Sequence, residues 1–126
     1  MTHLTTLVAA FLITGGSLLT SNEHYQRFRR LQSNHFEKAI AHIDSAIWLV
    51  DLEQNYAQKA EYLRKKGIAY KKRGQYDTAN LLYNEALLEF ITIGDSAGIA
   101  KVYNNLGILQ YNIGDDEQAM RWLLSS

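Results

Sequence analysis

The sequence contains neither cysteine nor proline among its 126 residues. The lack of cysteine excludes a disulfide framework and a thiol nucleophile. The lack of proline removes the residue that interrupts helices most strongly, because its ring clashes with the preceding turn and it has no N–H to donate. These two absences favour an all-helical chain.

The sequence also has no excess of charge of either sign. Lys plus Arg equals Asp plus Glu, so the formal net charge is zero, which argues against nucleic acid as a partner. Residues 23–73 nevertheless carry eleven basic and six acidic side chains, whereas residues 74–126 carry two and seven. Two interpretations stay open: a solvated surface with uneven ends, or a bipolar molecule that stacks head to tail or orients a partner.

The first nineteen residues differ from the rest in composition. The stretch from Leu4 to Thr14 is apolar, and Gly15-Gly16-Ser17 follows it. This segment resembles a secretory signal peptide, although no Lys or Arg precedes the apolar run. It is short for a membrane span, which needs about 20 apolar residues. Signal peptide, ordinary packed helix and membrane anchor all remain interpretations. A signal peptide would imply an exported or periplasmic protein; otherwise we expect a cytoplasmic one.

The most informative feature is an internal repeat with a period of 40 residues. Small residues recur where two helices must approach closely, and large apolar residues recur between them. The matched residues are Gly67 with Gly107, Gly74 with Gly114, Ala79 with Ala39 and Ala119, Ala86 with Ala46, Tyr76 with Phe36, Leu63 with Tyr103, and Tyr83 with Ile43 and Leu123.

Within the central repeat, the pattern predicts two helices joined by a tight turn. The first runs from Ala60 to Arg73, with Gly67 at a helix crossing and Gly74 as a left-handed residue that ends it. The second runs from Tyr76 to Ile93, because its apolar residues are spaced by three and four. The turn Gly94-Asp95-Ser96 then supplies a cap for the next helix.

The pattern continues on both sides of this central repeat. A first helix is expected around Asn22 to Gln32, and another begins at Ala97. The latter is predicted to turn at Gly114-Asp115-Asp116, where Asp115 and Gln118 have the form of a capping box. The helix after this turn is expected to present an exposed apolar face. That face contains Trp122, Leu123 and Leu124.

These residues resemble the tetratricopeptide repeat family over about residues 20–126. The matching residues in the two better-defined repeats are Leu63, Gly67, Tyr70, Gly74, Tyr76, Ala79, Tyr83 and Ala86, and then Tyr103, Leu106, Gly107, Gly114, Ala119 and Leu123. The resemblance implies an all-α fold of antiparallel helical hairpins stacked as a short right-handed solenoid. The implied units are about 20–59, 60–99 and a truncated 100–126.

The period departs from the usual 34 residues of the family. A 40-residue period is similar to the long-repeat subgroup that includes kinesin light chain and many bacterial regulators. Lys66 stands where a Leu is usual, and Arg27 stands where the first repeat should have its glycine. The first repeat is therefore expected to be degenerate, as terminal repeats often are.

No catalytic constellation is recognisable in the sequence. His35 and His42 are seven residues apart, but no ligand at metal spacing completes a site. Phosphate-loop, nucleophile-elbow and zinc-protease patterns are absent. Asp115, Asp116 and Glu117 lack the alternation of a calcium loop and are more typical of a helix N-terminus. We therefore expect no enzymatic activity, no metal, no cofactor and no small-molecule substrate.

The resemblance implies a groove lined by the first helix of each repeat, in which a protein or peptide lies. From the first repeat it implies His24, Tyr25, Phe28, Leu31 and Gln32, together with Glu61 at the start of the second. The candidate partner-binding residues are Arg64, Lys65, Ile68, Lys71, Lys72, Lys101, Asn104, Asn105, Ile108, Tyr111 and Asn112.

Two details of this groove bear on its chemistry. In the long-repeat subgroup an Asn at the place of Asn105 often holds the backbone of a bound peptide; the alternative is that Asn105 bonds a neighbouring helix end or turn. The basic set Arg64, Lys65, Lys71 and Lys72 either attracts an acidic peptide or forms a solvated face. The chaperone-type carboxylate clamp is incomplete, because Ile68 replaces an Asn.

Two functions therefore remain open. The first is a scaffold that binds a protein segment in its groove. The second is the sensory or dimerising input region of a larger bacterial regulator, such as a sensor histidine kinase, and the end of the chain at Ser126 favours it. The apolar face around Trp122 further predicts self-association.

Overall fold

The computed structural model describes residues 18–125, and this part of the chain is helical apart from short connections. The predicted all-α class is confirmed, whereas the expectation for the N-terminal apolar segment lies outside the described residues except at Leu18 and Leu19. The helices within residues 18–125 are α1 Ser21–Leu31, α2 Phe36–Leu52, α3 Tyr56–Lys72, α4 Tyr76–Ile93 and α5 Ser96–Ser125. None of them is both long and apolar enough to cross a membrane.

The chain divides into two compact units, and the boundary falls inside α3. The first unit extends to Tyr62, and α1 packs on α2 within it. The second unit begins at Leu63, and α4 packs on α5 within it. The candidate partner-binding residues all belong to the second unit.

Three of the connections share one backbone geometry. Gln54, Gly74 and Gly94 have φ values of 58°, 76° and 71°, in the left-handed region that lets a chain reverse after a helix. After each of them, a backbone N–H donates to the carbonyl five residues earlier, at 2.8 to 3.0 Å. The predicted ends of helices at Gly74 and Gly94 are confirmed. The predicted bounds of α4, Tyr76 to Ile93, are confirmed as well.

Side-chain caps fix where three of the helices begin. Thr20 accepts a hydrogen bond from the N–H of Glu23, at the start of α1. Asn55 accepts from the N–H of Gln58, and Asp95 accepts from the N–H of Gly98 at 3.0 Å. The cap predicted at Asp95 is confirmed. The cap at Asn55 explains why α3 begins at Tyr56 rather than at the predicted Ala60.

The core of the first unit is apolar and includes aromatic contacts. Tyr25 stacks on Tyr62, with ring centroids 5.1 Å apart, and also lies against Phe28. Burial of these rings stabilises the unit together with its aliphatic core. The buried residues of this unit are Phe28, Phe36, Ala39, Ile40, Ile43, Ala46, Val50, Ala60 and Tyr62.

In the second unit, two glycines allow helices to approach closely. A Cβ on Gly67 would lie 2.7 Å from the ring of Tyr83, and a Cβ on Gly98 would overlap the ring of Phe90. A glycine inside a helix costs about 1 kcal/mol relative to alanine, and here the burial of an aromatic ring offsets that cost. The helix crossing predicted at Gly67 is confirmed.

The turn predicted at Gly114-Asp115-Asp116 is wrong for this structure. Helix α5 continues through these residues to Ser125, so the hydrogen-bond ladder of the helix is unbroken at Gly114. A side-chain hydrogen bond joins Tyr76 to Asp116 and raises the pKa of the Tyr76 hydroxyl. This contact ties the middle of α5 to the beginning of α4.

Candidate partner-binding face

The candidate partner-binding residues lie on α3 after Leu63 and on the first half of α5. We call this set of residues the candidate face. Each member is exposed or half-buried, so each is accessible to a partner at least in part. The members are Arg64, Lys65, Ile68, Lys71 and Lys72 on α3, and Lys101, Asn104, Asn105, Ile108, Tyr111 and Asn112 on α5.

A hydrogen bond links the two helices of the candidate face. The Arg64 guanidinium donates through Nη1 to Oδ1 of Asn105, at 3.0 Å. Arg64 lies in the middle of α3, so this bond joins Asn105 to a neighbouring helix but not to a helix end or turn. The amide group of Asn105 also carries two N–H donors, which suit a peptide carbonyl. A side chain that is already held in place loses less rotamer entropy when it binds a partner.

The Tyr83 ring lies against Gly67 of α3, and the charge of Arg64 acts on its hydroxyl. Burial raises the pKa of Tyr83 to about 12, and the nearby positive charge of Arg64 opposes that rise. The phenol is therefore neutral at physiological pH. Its hydroxyl is buried and has no hydrogen-bond partner among residues 18–125. The close approach at Gly67 brings this ring against α3, so Gly67 helps to position the helix that carries Arg64.

The cations of the candidate face differ in exposure. Lys65 and Lys71 are half-buried, whereas Lys72 and Lys101 are exposed. A half-buried lysine packs its alkyl stem against the protein and keeps its ammonium group in water. The positive charges are therefore available at the surface.

The part of the candidate face on α5 consists mainly of apolar and amide side chains. Ile108 and Tyr111 are 41% and 69% exposed, so both offer apolar surface to a partner. Asn104 is exposed, and Asn105 and Asn112 are half-buried. The face thus combines positive charge, amide groups and apolar surface, which is suitable for non-covalent recognition of a peptide.

Two of the groove residues expected in the first repeat pack against other aromatic rings of the first unit. Phe28 is only 1% exposed and belongs to the core of the first unit, so its assignment to a binding surface is wrong. The amphipathic period of α1 turns Phe28 inward, where it packs beside Tyr25. Tyr25 is half-buried and stacks on Tyr62.

Sequence reasoning missed a histidine pair in the first unit. Nδ1 of His24 and Nδ1 of His42 lie 2.9 Å apart, so one ring donates a proton and the other accepts it. Burial is the main cause that lowers the pKa of both rings, and the charge of Arg27 lowers both further. The two residues lie on different helices, and the sequence carries no signal that joins them.

The described residues contain no group of three or more His, Cys, Asp or Glu side chains placed to hold a metal ion. The side chains of the candidate face offer charge attraction, hydrogen bonding and apolar contact. The fold and this face define an all-α protein whose neighbouring helices pack within each unit. No protein-family model, curated protein or solved structure matches the chain.

Proposed function

We propose that the protein is a non-catalytic binding module, whose candidate face holds an extended acidic segment of another protein. One observation carries the proposal: the candidate face has five cations and no acidic side chain. Residues 62–76 and 96–114 have basic side chains but no Asp or Glu, although the chain as a whole is neutral. Segregation of charge of this kind raises the local concentration of an oppositely charged partner.

The amide groups would add specificity to this charge attraction. Asn105 and Asn112 are seven residues apart on α5, and Asn104 is adjacent to Asn105. An extended peptide has alternating N–H and C=O groups, and an amide side chain both donates to and accepts from such groups. Tyr111 and Ile108 would supply apolar contact with the side chains of the partner.

We also propose that the helices are of the tetratricopeptide type, in the long-repeat subgroup. The 40-residue recurrence of small and large residues supports this assignment. The left-handed glycines at the ends of α3 and α4 and the close approach at Gly67 support it further. A binding face on the first helix of each hairpin is what the resemblance implies.

The proposed function is tested by titrating the full chain with a fluorescent peptide of about ten residues, rich in Glu and Asp. Lys65→Ala and Asn105→Ala should each weaken binding about five- to tenfold, because each removes a charged or amide hydrogen bond worth about 1 kcal/mol. Helix content should change little in both variants. The thermal midpoint should change little in Lys65→Ala and fall by a few degrees in Asn105→Ala, which loses the hydrogen bond to Arg64.

Lys38→Ala is the matched control, because Lys38 is an exposed lysine on α2, outside the candidate face. It should leave the affinity for the peptide unchanged. The same peptide with Gln and Asn in place of Glu and Asp should bind at least tenfold more weakly. Equal affinity for the wild type and both candidate-face variants would rule out the face as the binding site.

A second candidate function is the dimerising input region of a larger regulator. The observation that favours it is the apolar end of α5, where Met120, Trp122, Leu123 and Leu124 are 57% to 81% exposed. Contiguous apolar surface of this kind is typical of interaction sites. Its test is the mass of the protein in solution across a range of concentrations.

A further inference from the structure

The left-handed turn residues of the chain follow a regular series. Gln54, Gly74 and Gly94 are spaced by twenty residues, and each has a positive φ after the end of a helix. The next residue in the series is Gly114, which lies inside α5. Glycine is the residue that adopts the left-handed conformation with no steric cost.

The residues around Gly114 also repeat the hydrogen-bonding groups of the other turns. The residue after the left-handed position caps the next helix in two cases: Asn55 accepts from the N–H of Gln58, and Asp95 accepts from the N–H of Gly98. Asp115 and Gln118 stand in the same relation. The segment from Gly114 to Gln118 therefore has the same glycine and capping side chain as the other turns, although it is helical in this structure.

Residues on either side of Gly114 have counterparts, forty residues earlier, that form a buried contact in the second unit. Gly67 lies against the ring of Tyr83, but nothing occupies the space above Gly107, its counterpart forty residues later. Tyr83 is fully buried, whereas its counterpart Leu123 is 73% exposed. The counterparts Leu63 and Tyr103 differ in the same way: Leu63 is 5% exposed and Tyr103 is 58% exposed.

We propose that α5 has a hinge at Gly114 and exists in two conformations. In the open one, which is the conformation of this structure, the helix is straight. In the closed one, Gly114 is left-handed, Asp115 caps a new helix, and residues 117–125 pack back on the surface formed by Tyr103 and Gly107. The closed conformation recreates the Gly67–Tyr83 contact with Gly107 and Leu123.

The hinge would control how much apolar surface the protein exposes. Closure covers Leu123 and the small-residue surface at Gly107, and opening makes both accessible to a partner. Glycine at 107 and at 114 disfavours a long uninterrupted helix, because each lowers the helix propensity of α5. This inference is independent of acidic-peptide binding at the candidate face.

The test is a distance measurement across the hinge. Because the chain has no cysteine, Ala100→Cys with Ser125→Cys provides two unique sites for nitroxide spin labels on the full chain. A straight helix separates these residues by roughly 37 Å, at 1.5 Å per residue. Closure should bring the labels within about 20 Å, because packed helices lie 8–10 Å apart. We expect pulsed EPR to detect both distances.

Two substitutions at the hinge sharpen this test. Gly114→Ala should reduce the short-distance population at least tenfold, since alanine favours the helix and disfavours a positive φ. Gly114→Asn should retain that population, because asparagine tolerates the left-handed conformation. A long distance alone, in the wild-type background and in Gly114→Ala alike, would overturn the proposal. So would a short distance that persists in Gly114→Ala or disappears on dilution with unlabelled protein.

Discussion

The His24–His42 pair is the clearest case in which single side chains link two helices. Their Nδ1 atoms lie 2.9 Å apart, and the rings are tilted by 39°. Two neutral imidazoles can share this hydrogen bond, because one nitrogen carries a proton and the other accepts it. Protonation of both rings leaves two donors facing each other and breaks the bond. The pair is therefore a weak point of the α1–α2 contact at acidic pH.

The direction of the pH effect follows from the pKa values. Burial lowers the pKa of His24 and of His42 below 6.5 in the folded protein, so the unfolded chain binds more protons below that pH. The free energy of unfolding should thus be fully retained above pH 6.5 and fall as the pH drops below it. The charges of His42 and Arg27 lower the pKa of His24 further, and Glu23 opposes them. At His42, Arg27 and Arg30 add to the lowering.

Urea denaturation from pH 7.5 to 5 checks this prediction. His42→Gln should flatten the loss of stability below pH 6.5, because it removes one titrating ring of the pair. His35→Gln is the control, since His35 is exposed and lies outside the pair. A loss of stability that is equally steep in the wild type and in His42→Gln would refute the role of the pair.

At the scale of helices, the sequence predicted most of the boundaries, because local signals determine them. The bounds of α4 follow from Gly74 and Gly94, whose positive φ ends a helix at a defined residue. The same signals at Gly114 predicted a turn, yet α5 continues. The sequence signal at Gly114 is like those at Gly74 and Gly94, so local pattern alone does not decide its conformation.

The contacts between helices were only partly predictable. The close approach at Gly67 could be predicted, because the sequence offers no other explanation for a glycine inside this helix. The bond between Arg64 and Asn105 joins residues 41 apart, and either residue alone has several plausible partners. Long-range pairs of polar side chains depend on rotamers and helix rotation, which the hydrophobic pattern leaves undetermined.

The end of α5 carries a prediction about association. Met120, Leu123 and Leu124 continue the apolar stripe that is buried at Val102 and Leu109, so a second molecule is expected to cover them. The weight-average mass measured by light scattering should rise with concentration, and Leu124→Lys should reduce that rise. A small interface of this kind implies weak association, at micromolar or higher concentration.

Leu81→Lys is the matched control for this experiment. Leu81 is also exposed, at 67%, but it lies on α4, away from the end of α5. The Leu81→Lys variant should associate like the wild type. A monomeric mass at every concentration would contradict the prediction, as would an equal effect of the two lysine substitutions.

At the scale of the whole molecule, the distribution of charge matters more than its sum. The net charge is zero, but eleven of the thirteen basic residues lie between residues 23 and 73. The second half is acidic overall, yet its segment 96–114 has a lysine and no acid. The candidate face itself is positively charged in a neutral chain, with five cations and no acidic side chain. Electrostatic attraction at such a face should weaken with salt, because the Debye length falls to about 3 Å at 1 M.

The most direct test of acidic-peptide binding at the candidate face is an NMR titration of the isotope-labelled full chain with the Glu- and Asp-rich peptide. We predict that the amide signals that move belong to residues 64–72 of α3 and 101–112 of α5. These shifts should largely disappear at 1 M salt. Shifts confined to α1 and α2, or no shifts at low salt, would contradict the proposed function.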